Sequence, residues 1–217
     1  WLRSLFLIHM YFDLKNRIYV VTGASGGIGS ALVNLLNKEG AELFLIDTDQ
    51  TSLDQLKKEQ ATHQNQNYFI NSNLKDFKEI KDNLQKPISG IIHLAGQLES
   101  DNVNTSKKPI WERAIQNNLT NAYDIIENMI PFFDKNIIGK IILTSSLAYR
   151  RGGFDFIPYT ASKGGITGLV RAYSRKLAPE ILVNGLAPGI IDTKMPKKLI
   201  ENRGDELLKQ IPQKRFG

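Results

Sequence analysis

The segment that most constrains the fold is a glycine-rich turn that follows an apolar run near the start of the chain. Residues 18–21 have the composition of a buried strand, and Gly23, Gly27 and Gly29 follow them. Glycine permits a tight turn and lets the backbone come close to a bound group. The helix expected after the turn would direct free N–H groups and its positive dipole end toward an anion such as a pyrophosphate. The sequence therefore predicts a strand, a phosphate-binding turn and a helix in succession.

Apolar segments of strand length alternate with segments of helical period along the rest of the chain. The first helix is predicted from an apolar stripe at Ile28, Ala31, Leu32, Leu35 and Leu36. Further strands are predicted at residues 42–46, 68–70, 88–94, 140–144 and 181–185. Further helices are predicted at residues 51–61, 77–84, 110–133 and 158–178. In a chain of 217 residues, this alternation predicts a single-domain α/β fold of the Rossmann type, with a doubly wound parallel sheet and helices on both faces.

An acidic residue, Asp47, closes the second predicted strand. A carboxylate at this place can accept hydrogen bonds from ribose hydroxyls and repel a 2′-phosphate, which favours NAD over NADP as the cofactor. Asp49 competes for the same role, and a plain turn residue is the alternative for Asp47. No Lys or Arg follows Asp47 immediately to receive a 2′-phosphate.

Tyr159 and Lys163 stand four residues apart at the start of a predicted amphipathic helix whose first residue is Pro158. Residues i and i+4 share a helix face, so the phenol and the ammonium can meet. A cation beside a phenol lowers the phenol pKa and makes an acid/base group usable near neutral pH. A solvated lysine beside a half-buried tyrosine is the alternative.

Six motifs in register resemble the short-chain dehydrogenase/reductase family, and in particular its 3-oxoacyl-carrier-protein reductase branch. They are TGASGGIG at residues 22–29, LAG at 94–96, WERAIQNNL at 111–119, ILTSSLA at 142–148, YTASK at 159–163 and VNGLAPGIIDT at 183–193. The resemblance implies that Tyr159 is the general acid/base and that Lys163 lowers its pKa and binds the nicotinamide ribose. It also selects Ser146 over Ser145 as the group that polarises a substrate carbonyl, and Asn118 as the holder of a relay water.

The same resemblance implies a set of contacts to a nicotinamide dinucleotide. The cofactor-binding residues it selects are Thr22, Gly23, Ser25, Gly27, Ile28, Gly29, Asp47, Asn73, Leu74, Ala95, Gly96, Tyr159, Lys163, Pro188, Gly189, Ile191 and Thr193. Asn73 stands where the family usually has Asp, and Leu94 where it usually has Asn. The carrier-protein reductase branch, which commonly prefers NADP, has Arg where this chain has Gly26.

These observations favour an NAD(H)-dependent oxidoreductase that interconverts a secondary alcohol and a ketone. The alternatives are an NADPH-dependent 3-oxoacyl-carrier-protein reductase and a non-catalytic dinucleotide-binding protein or inactive fragment. A basic rim at Arg150, Arg151, Lys194, Lys197 and Lys198 favours an anionic or carrier-linked substrate, although a merely solvated rim is the alternative. The resemblance also implies a homodimer or homotetramer.

Composition excludes several other classes of protein. The formal net charge of +6 is spread along the chain without a long basic run, so no nucleic-acid partner is expected. The absence of cysteine suits a cytoplasmic protein, and the three scattered histidines suggest no metal site. No membrane span is expected. We interpret residues 1–10 as an extension or non-native segment, and residues 11–217 as a dinucleotide-binding and catalytic domain that lacks the family's last helix and strand.

Overall fold

The computed structural model describes residues 14–62 and 65–217, and within them six strands form one parallel sheet. The strands are β1 (Ile18–Thr22), β2 (Glu42–Asp47), β3 (Asn67–Asn71), β4 (Gly90–His93), β5 (Gly139–Thr144) and β6 (Ile181–Leu186). They lie in the order β3-β2-β1-β4-β5-β6, and every neighbouring pair is parallel. The expected doubly wound fold is confirmed, whereas the expected extension at residues 1–10 lies outside the described residues.

Helices cover the sheet on both sides. They are α1 (Gly27–Lys38), α2 (Gln50–Gln60), α3 (Lys78–Asn83), α4 (Lys108–Ala114), α5 (Asn121–Met129), α6 (Ala148–Arg151), α7 (Ile157–Leu177) and α8 (Lys197–Gln210). Alternate residues of β1 show the two layers: Ile18 and Val20 pack with side chains of α5 and α7, whereas Tyr19 and Val21 pack with side chains of α1 and α2. Both faces of the central strand are therefore buried, which explains its unbroken apolar run.

The strand order reverses beside β1, which lies between β2 and β4. In open parallel sheets, connections diverge to opposite faces at such a point and leave a crevice outside the carboxyl ends of the strands. The glycine-rich turn follows β1, and the LAG segment follows β4. The fold thus brings two of the sequence motifs to the same edge of the sheet.

Helix α1 buries a different face from the one that the sequence predicts. Its buried residues are Gly29, Val33, Leu36 and Asn37. Of the predicted stripe only Leu36 is buried, and Leu35 is 55% exposed. The cause is Gly29, which packs so closely on the preceding turn that an added Cβ would lie 2.7 Å from the Ala24 carbonyl oxygen. A search for apolar side chains at helical spacing cannot detect this contact, because the contact depends on Gly29 having no side chain.

The helical stretch predicted at residues 110–133 is present at residues 108–132, but it is not one regular α-helix. It divides into α4, a π-helical turn at Ile115–Thr120, α5 and a 3₁₀ turn at Ile130–Phe132. The π-helical turn keeps the overall helical period, so apolar spacing does not reveal it. Helix α8 was not predicted: its apolar residues fall in two pairs, Leu199 with Ile200 and Leu207 with Leu208, separated by a polar run that contains Gly204. No helix among residues 14–62 and 65–217 combines the length and the apolar character needed to cross a membrane.

Replacing Gly29 with alanine should lower the free energy of unfolding by about 1–3 kcal/mol, because the new methyl group meets backbone atoms that cannot move aside. Gly168→Ala is the matched control: Gly168 lies in α7 with open space where a Cβ would be, and alanine should stabilise the helix by about 0.5–1 kcal/mol. Urea unfolding of both variants measures the difference. Equal stability of the two variants would contradict the proposed contact.

Candidate active site

The turn after β1 approaches the segment after β4 at backbone contact distance. Gly23 has a φ of +68°, and a Cβ added there would lie 2.7 Å from the Ala95 amide nitrogen. The residue that precedes α1, Gly26, provides no side-chain cap, and the first turn of α1 carries no acidic residue. The N–H groups at the start of α1 are therefore available to an anion, as the sequence predicts.

A crevice of about 200 Å³ opens beside this contact. Its lining includes seven of the predicted cofactor-binding residues: Thr22, Gly23, Asp47, Asn73, Leu74, Ala95 and Gly96. It also includes residues that the sequence did not suggest: Gly26, Ile46, Thr48, Ser72, Leu94, Asn121 and Met195. The remaining predicted contacts lie outside this lining: Ser25, Gly27, Ile28 and Gly29 in or near the start of α1, Tyr159 and Lys163 on α7, and Pro188, Gly189, Ile191 and Thr193 after β6. A wider depression of about 510 Å³ between α3 and α5 contains none of the predicted site residues.

Asp47 holds the glycine-rich turn against the end of β2. Its Oδ2 accepts a hydrogen bond from the Ser25 N–H at 3.0 Å, and its Oδ1 accepts from the N–H groups of Thr48 at 2.8 Å and Asp49 at 3.2 Å. The carboxylate thus performs the turn function that the sequence left open, and it lines the crevice as well. A bound ribose would have to share this carboxylate with three backbone donors.

Asp49, the rival of Asp47, is the N-cap of α2. Its Oδ1 accepts from the Ser52 N–H at 3.1 Å, and its Oδ2 accepts from the Ser52 hydroxyl at 2.8 Å and from Lys194 Nζ at 3.3 Å. The hydrogen bonds with Ser52, followed by Lys194, lower the pKa of Asp49 to about 2. Asp49 is not part of the crevice lining, so Asp47 is the better placed of the two for a ribose.

Lys163 is buried at the carboxyl end of β5. Its Nζ donates to the Thr144 carbonyl oxygen at 2.8 Å and lies 5.7 Å from the centre of the Tyr159 ring. Burial lowers the pKa of Lys163 to about 8. A Cβ on Gly96 would lie 3.1 Å from the Lys163 Nζ and 2.8 Å from Asn118 Oδ1, so the segment after β4 separates these two side chains.

Asn118 lies fully buried in the π-helical turn. Its Oδ1 accepts from the Gln97 N–H at 2.6 Å, and its Nδ2 donates to the Gln97 carbonyl oxygen at 3.0 Å and to Ser162 Oγ at 3.2 Å. Ser162 in turn donates to the Tyr159 carbonyl oxygen at 2.7 Å. These bonds connect the segment after β4 with α7, and π-helical turns of this kind are frequent at functional sites.

The structure separates the two serines that end β5. Ser145 is buried, and its hydroxyl donates to the Lys163 carbonyl oxygen at 2.7 Å. The Ser146 side chain lies near enough to the Tyr159 phenol to act against the rise in its pKa, and its Oγ accepts from the Ala148 N–H at 3.2 Å. The geometry thus brings Ser146 to the phenol and leaves Ser145 to fix α7.

The expectation that the pKa of Tyr159 lies below its ordinary value is wrong for this structure. Burial raises that pKa above its ordinary value, and the hydrogen bond with Ser146 acts in the opposite direction without reversing the shift. The Lys163 ammonium lies over the ring and donates to the Thr144 carbonyl. Tyr159 is therefore a protonated phenol at neutral pH.

Two buried groups at the site were missed from the sequence. His93, the last residue of β4, shares a hydrogen bond of 2.7 Å between its Nδ1 and the Thr22 hydroxyl, and Thr22 Oγ1 accepts from the Ala95 N–H at 3.3 Å. Burial, with a smaller effect of Lys163, lowers the pKa of His93 to about 3. Asp101 Oδ1 accepts from the N–H of Ile157, the first residue of α7, at 3.3 Å. Only the histidine had a local signal, because it directly precedes the LAG segment.

Comparison with known proteins agrees with this geometry. Residues 17–204 match the family model described as short chain dehydrogenase. The chain is 30% identical over 211 residues to the 3-oxoacyl-(acyl-carrier-protein) reductase FabG of Thermotoga maritima, which covers 94% of this chain and 86% of that protein. It is 30% identical over 215 residues to the acetoacetyl-CoA reductase of Synechocystis, with 94% and 84% covered.

A solved structure is also similar in fold and sequence. The short-chain dehydrogenase/reductase of Brucella melitensis described as a glucose/ribitol dehydrogenase superposes with a TM-score of 0.87 and 31% identity, and covers 95% of this chain and 85% of its own. The fold, the motifs and the match over residues 17–204 define a nicotinamide-dependent oxidoreductase. The chain belongs to the short-chain dehydrogenase family, and it resembles the 3-oxoacyl-carrier-protein reductase branch.

The neutral state of His93 should make stability fall with acid. Its folded pKa of about 3 lies below the unfolded value of 6.5, so the unfolded chain binds the extra proton between these values and stability is lost as the pH falls. We expect His93 to lower the free energy of unfolding by about 2 kcal/mol between pH 7 and pH 5. Urea unfolding of wild type and His93→Gln at both pH values isolates this effect, because other titrating groups are common to both. An identical pH dependence in the two proteins would contradict it.

Proposed function

We propose that the chain is a reductase of 3-oxoacyl thioesters that uses a nicotinamide dinucleotide. The observation that carries the proposal is the cluster of Ser146, Tyr159 and Lys163 at the carboxyl end of β5, beside the crevice. Two relatives, a 3-oxoacyl-(acyl-carrier-protein) reductase and an acetoacetyl-CoA reductase, support a thioester substrate with a keto group at the third carbon.

The crevice suits a dinucleotide because a glycine-rich turn that precedes a helix forms one wall, and Gly23 lets this turn come into contact with the backbone at Ala95. The start of α1 would hold the pyrophosphate, Asp47 the adenosine ribose, and Asn73 with Leu74 the adenine side of the crevice. The loop residue Thr193 would contact the carboxamide. When bound, the reduced nicotinamide supplies a hydride to the keto carbon.

The protein's own groups would manage the charge that develops on the substrate oxygen. As the keto carbon gains the hydride, the π electron pair of the carbonyl moves to the oxygen, which takes the proton of the Tyr159 phenol and becomes a hydroxyl group. Ser146 would donate a hydrogen bond to the same oxygen. Tyr159 keeps its proton at neutral pH, as this direction requires, but its raised pKa makes the phenol a weaker acid that needs a nearby positive charge.

Lys163 would stabilise the phenolate that Tyr159 becomes. With a pKa of about 8 it is a cation at neutral pH, next to the Tyr159 ring, in a buried site where charge interactions are strong. Asn118 holds the neighbouring backbone at Gln97 and, through Ser162, the start of α7. We propose that it also holds the water through which Lys163 exchanges protons with solvent.

The second candidate is the NAD-linked dehydrogenase of another secondary alcohol. Asp47 favours it, because a carboxylate at the crevice repels the 2′-phosphate of NADP, and Gly26 provides no arginine to receive that phosphate. A non-catalytic dinucleotide-binding protein is less well supported, since the catalytic side chains are all present.

The basic residues of α6, and Lys197 at the start of α8, follow closely along the chain after residues of the candidate site. Their positive charge suits an anionic or carrier-linked substrate. A homodimer or homotetramer stays a prediction.

Tyr159→Phe should lower the kcat for reduction of acetoacetyl-CoA, a 3-oxoacyl thioester, by about 10²–10⁴-fold, because phenylalanine cannot protonate the substrate oxygen. Binding of NADH or NADPH, followed by nicotinamide fluorescence, should change less than twofold. Tyr123→Phe is the control, because Tyr123 lies exposed on α5 away from the cluster. Unchanged turnover in Tyr159→Phe would contradict the assignment of Tyr159 as the general acid. A wild type that oxidises secondary alcohols with NAD but leaves acetoacetyl-CoA untouched would favour the second candidate.

The kcat/KM for reduction should fall as the pH rises through about 8. Lys163 loses its proton there, and with it the positive charge that stabilises the Tyr159 phenolate. A pH profile of acetoacetyl-CoA reduction between pH 6 and pH 10 measures the alkaline limb. A flat profile to pH 10 would show that the charge of Lys163 is not required.

A further inference from the structure

The three residues Thr193, Lys194 and Met195 lie along the dinucleotide crevice. A Cβ on Gly27, at the start of α1, would lie 2.8 Å from Thr193 Cβ, so Thr193 packs on the glycine-rich turn. Met195 lines the crevice opposite residues that follow β1, β2 and β4. The side chain between them, Lys194, extends to the turn that follows β2. One short segment after β6 thus contacts the parts of the site where the phosphates of a dinucleotide would lie.

Lys194 meets Asp49 in an ion pair that can readily exchange. Its Nζ lies 3.3 Å from Asp49 Oδ2, and its side chain is 88% exposed. Exposed pairs of this kind contribute little to stability, because water and salt screen them. Asp49 also keeps two hydrogen bonds from Ser52 without Lys194. Nothing in this pair holds the ammonium firmly against a more highly charged partner.

We infer that Lys194 is a phosphate-binding residue. When a dinucleotide binds, its ammonium breaks the ion pair with Asp49 and pairs with a phosphate group instead. A phosphate offers more negative charge than one carboxylate and several acceptor oxygens, so a nearby ammonium gains by the exchange. The inference rests on the proposed function, because it assumes that a dinucleotide occupies the crevice. The residues directly after Asp47 include no cation that could receive a phosphate. The fold brings the Lys194 ammonium to this turn from 145 residues beyond Asp49.

Two phosphate sources fit this chemistry. The pyrophosphate is common to NADH and NADPH and would lie at the start of α1, next to Thr193. The 2′-phosphate belongs to NADPH alone and would lie near the turn of Asp47 and Asp49. Lys194 follows Thr193, which packs against Gly27 at the first of these places, and its Nζ contacts Asp49 at the second.

The test is a titration of the purified chain with NADH and with NADPH in a buffer free of phosphate. Lys194→Gln removes the cation, and we expect it to raise the Kd by about tenfold. Lys209→Gln is the control, since it removes the same charge at the far end of α8. Asp49→Asn removes the resting partner while asparagine preserves the N-cap, so it should tighten binding, and less so when Lys194 is also replaced.

Each outcome decides between sources or against the inference. A weaker affinity of Lys194→Gln for both dinucleotides identifies the pyrophosphate, and a loss confined to NADPH identifies the 2′-phosphate. Affinities that match those of Lys209→Gln, or an Asp49→Asn effect that is the same with and without Lys194, would overturn the exchange. A wild-type chain that binds neither dinucleotide would reject the proposed function itself, which separates that failure from a failure of the Lys194 inference.

Discussion

The contact between Gly23 and the segment at Ala95 is the constraint on which the site depends. β1 is the central strand, and the turns after β1 and β4 must pass each other before their chains diverge to opposite faces of the sheet. A side chain at Gly23 would force them apart, because the backbone there is already at contact distance. The Thr22 hydroxyl, between His93 and the Ala95 N–H, fixes the same approach by hydrogen bonds. These contacts set the distance between the two turns that line the crevice.

A second requirement is that the site bury the charged Lys163 without losing its charge. An ammonium taken out of water is costly unless polar groups replace the water, and the Thr144 carbonyl does so directly. His93 helps by staying neutral, since a second cation nearby would disfavour the first. The resulting pKa of about 8 is a compromise: burial lowers it, but the cation persists at neutral pH. The same burial keeps Tyr159 protonated, so the pair is prepared to donate a proton.

The parts of this structure that a sequence predicts well are those determined by neighbours along the chain. The strands, the glycine-rich turn and the helical pairing of Tyr159 with Lys163 are local patterns, and the structure contains each of them. The π-helical turn that carries Asn118 is invisible to apolar spacing, and the rotation of α1 follows from a contact made by a glycine. The pKa of Tyr159 was predicted with the wrong sign, because spacing reports that a lysine is near but not that both groups are buried. Local sequence patterns carry no information about burial by distant segments or about close contacts between two backbones.

The choice between NAD and NADP shows why one residue read from a sequence is a weak basis for specificity. Asp47 alone predicts repulsion of a 2′-phosphate, but in the fold its carboxylate already accepts from three backbone N–H groups, which disperse its negative charge. Asp49 adds a second carboxylate, and Lys194 brings a cation to it from the far side of the crevice. The field that a bound phosphate would meet is the sum of these groups, and under the proposed exchange it would change as Lys194 leaves Asp49. Preference at this turn is therefore a property of two chain segments that lie far apart in sequence and are brought together by the order of the strands.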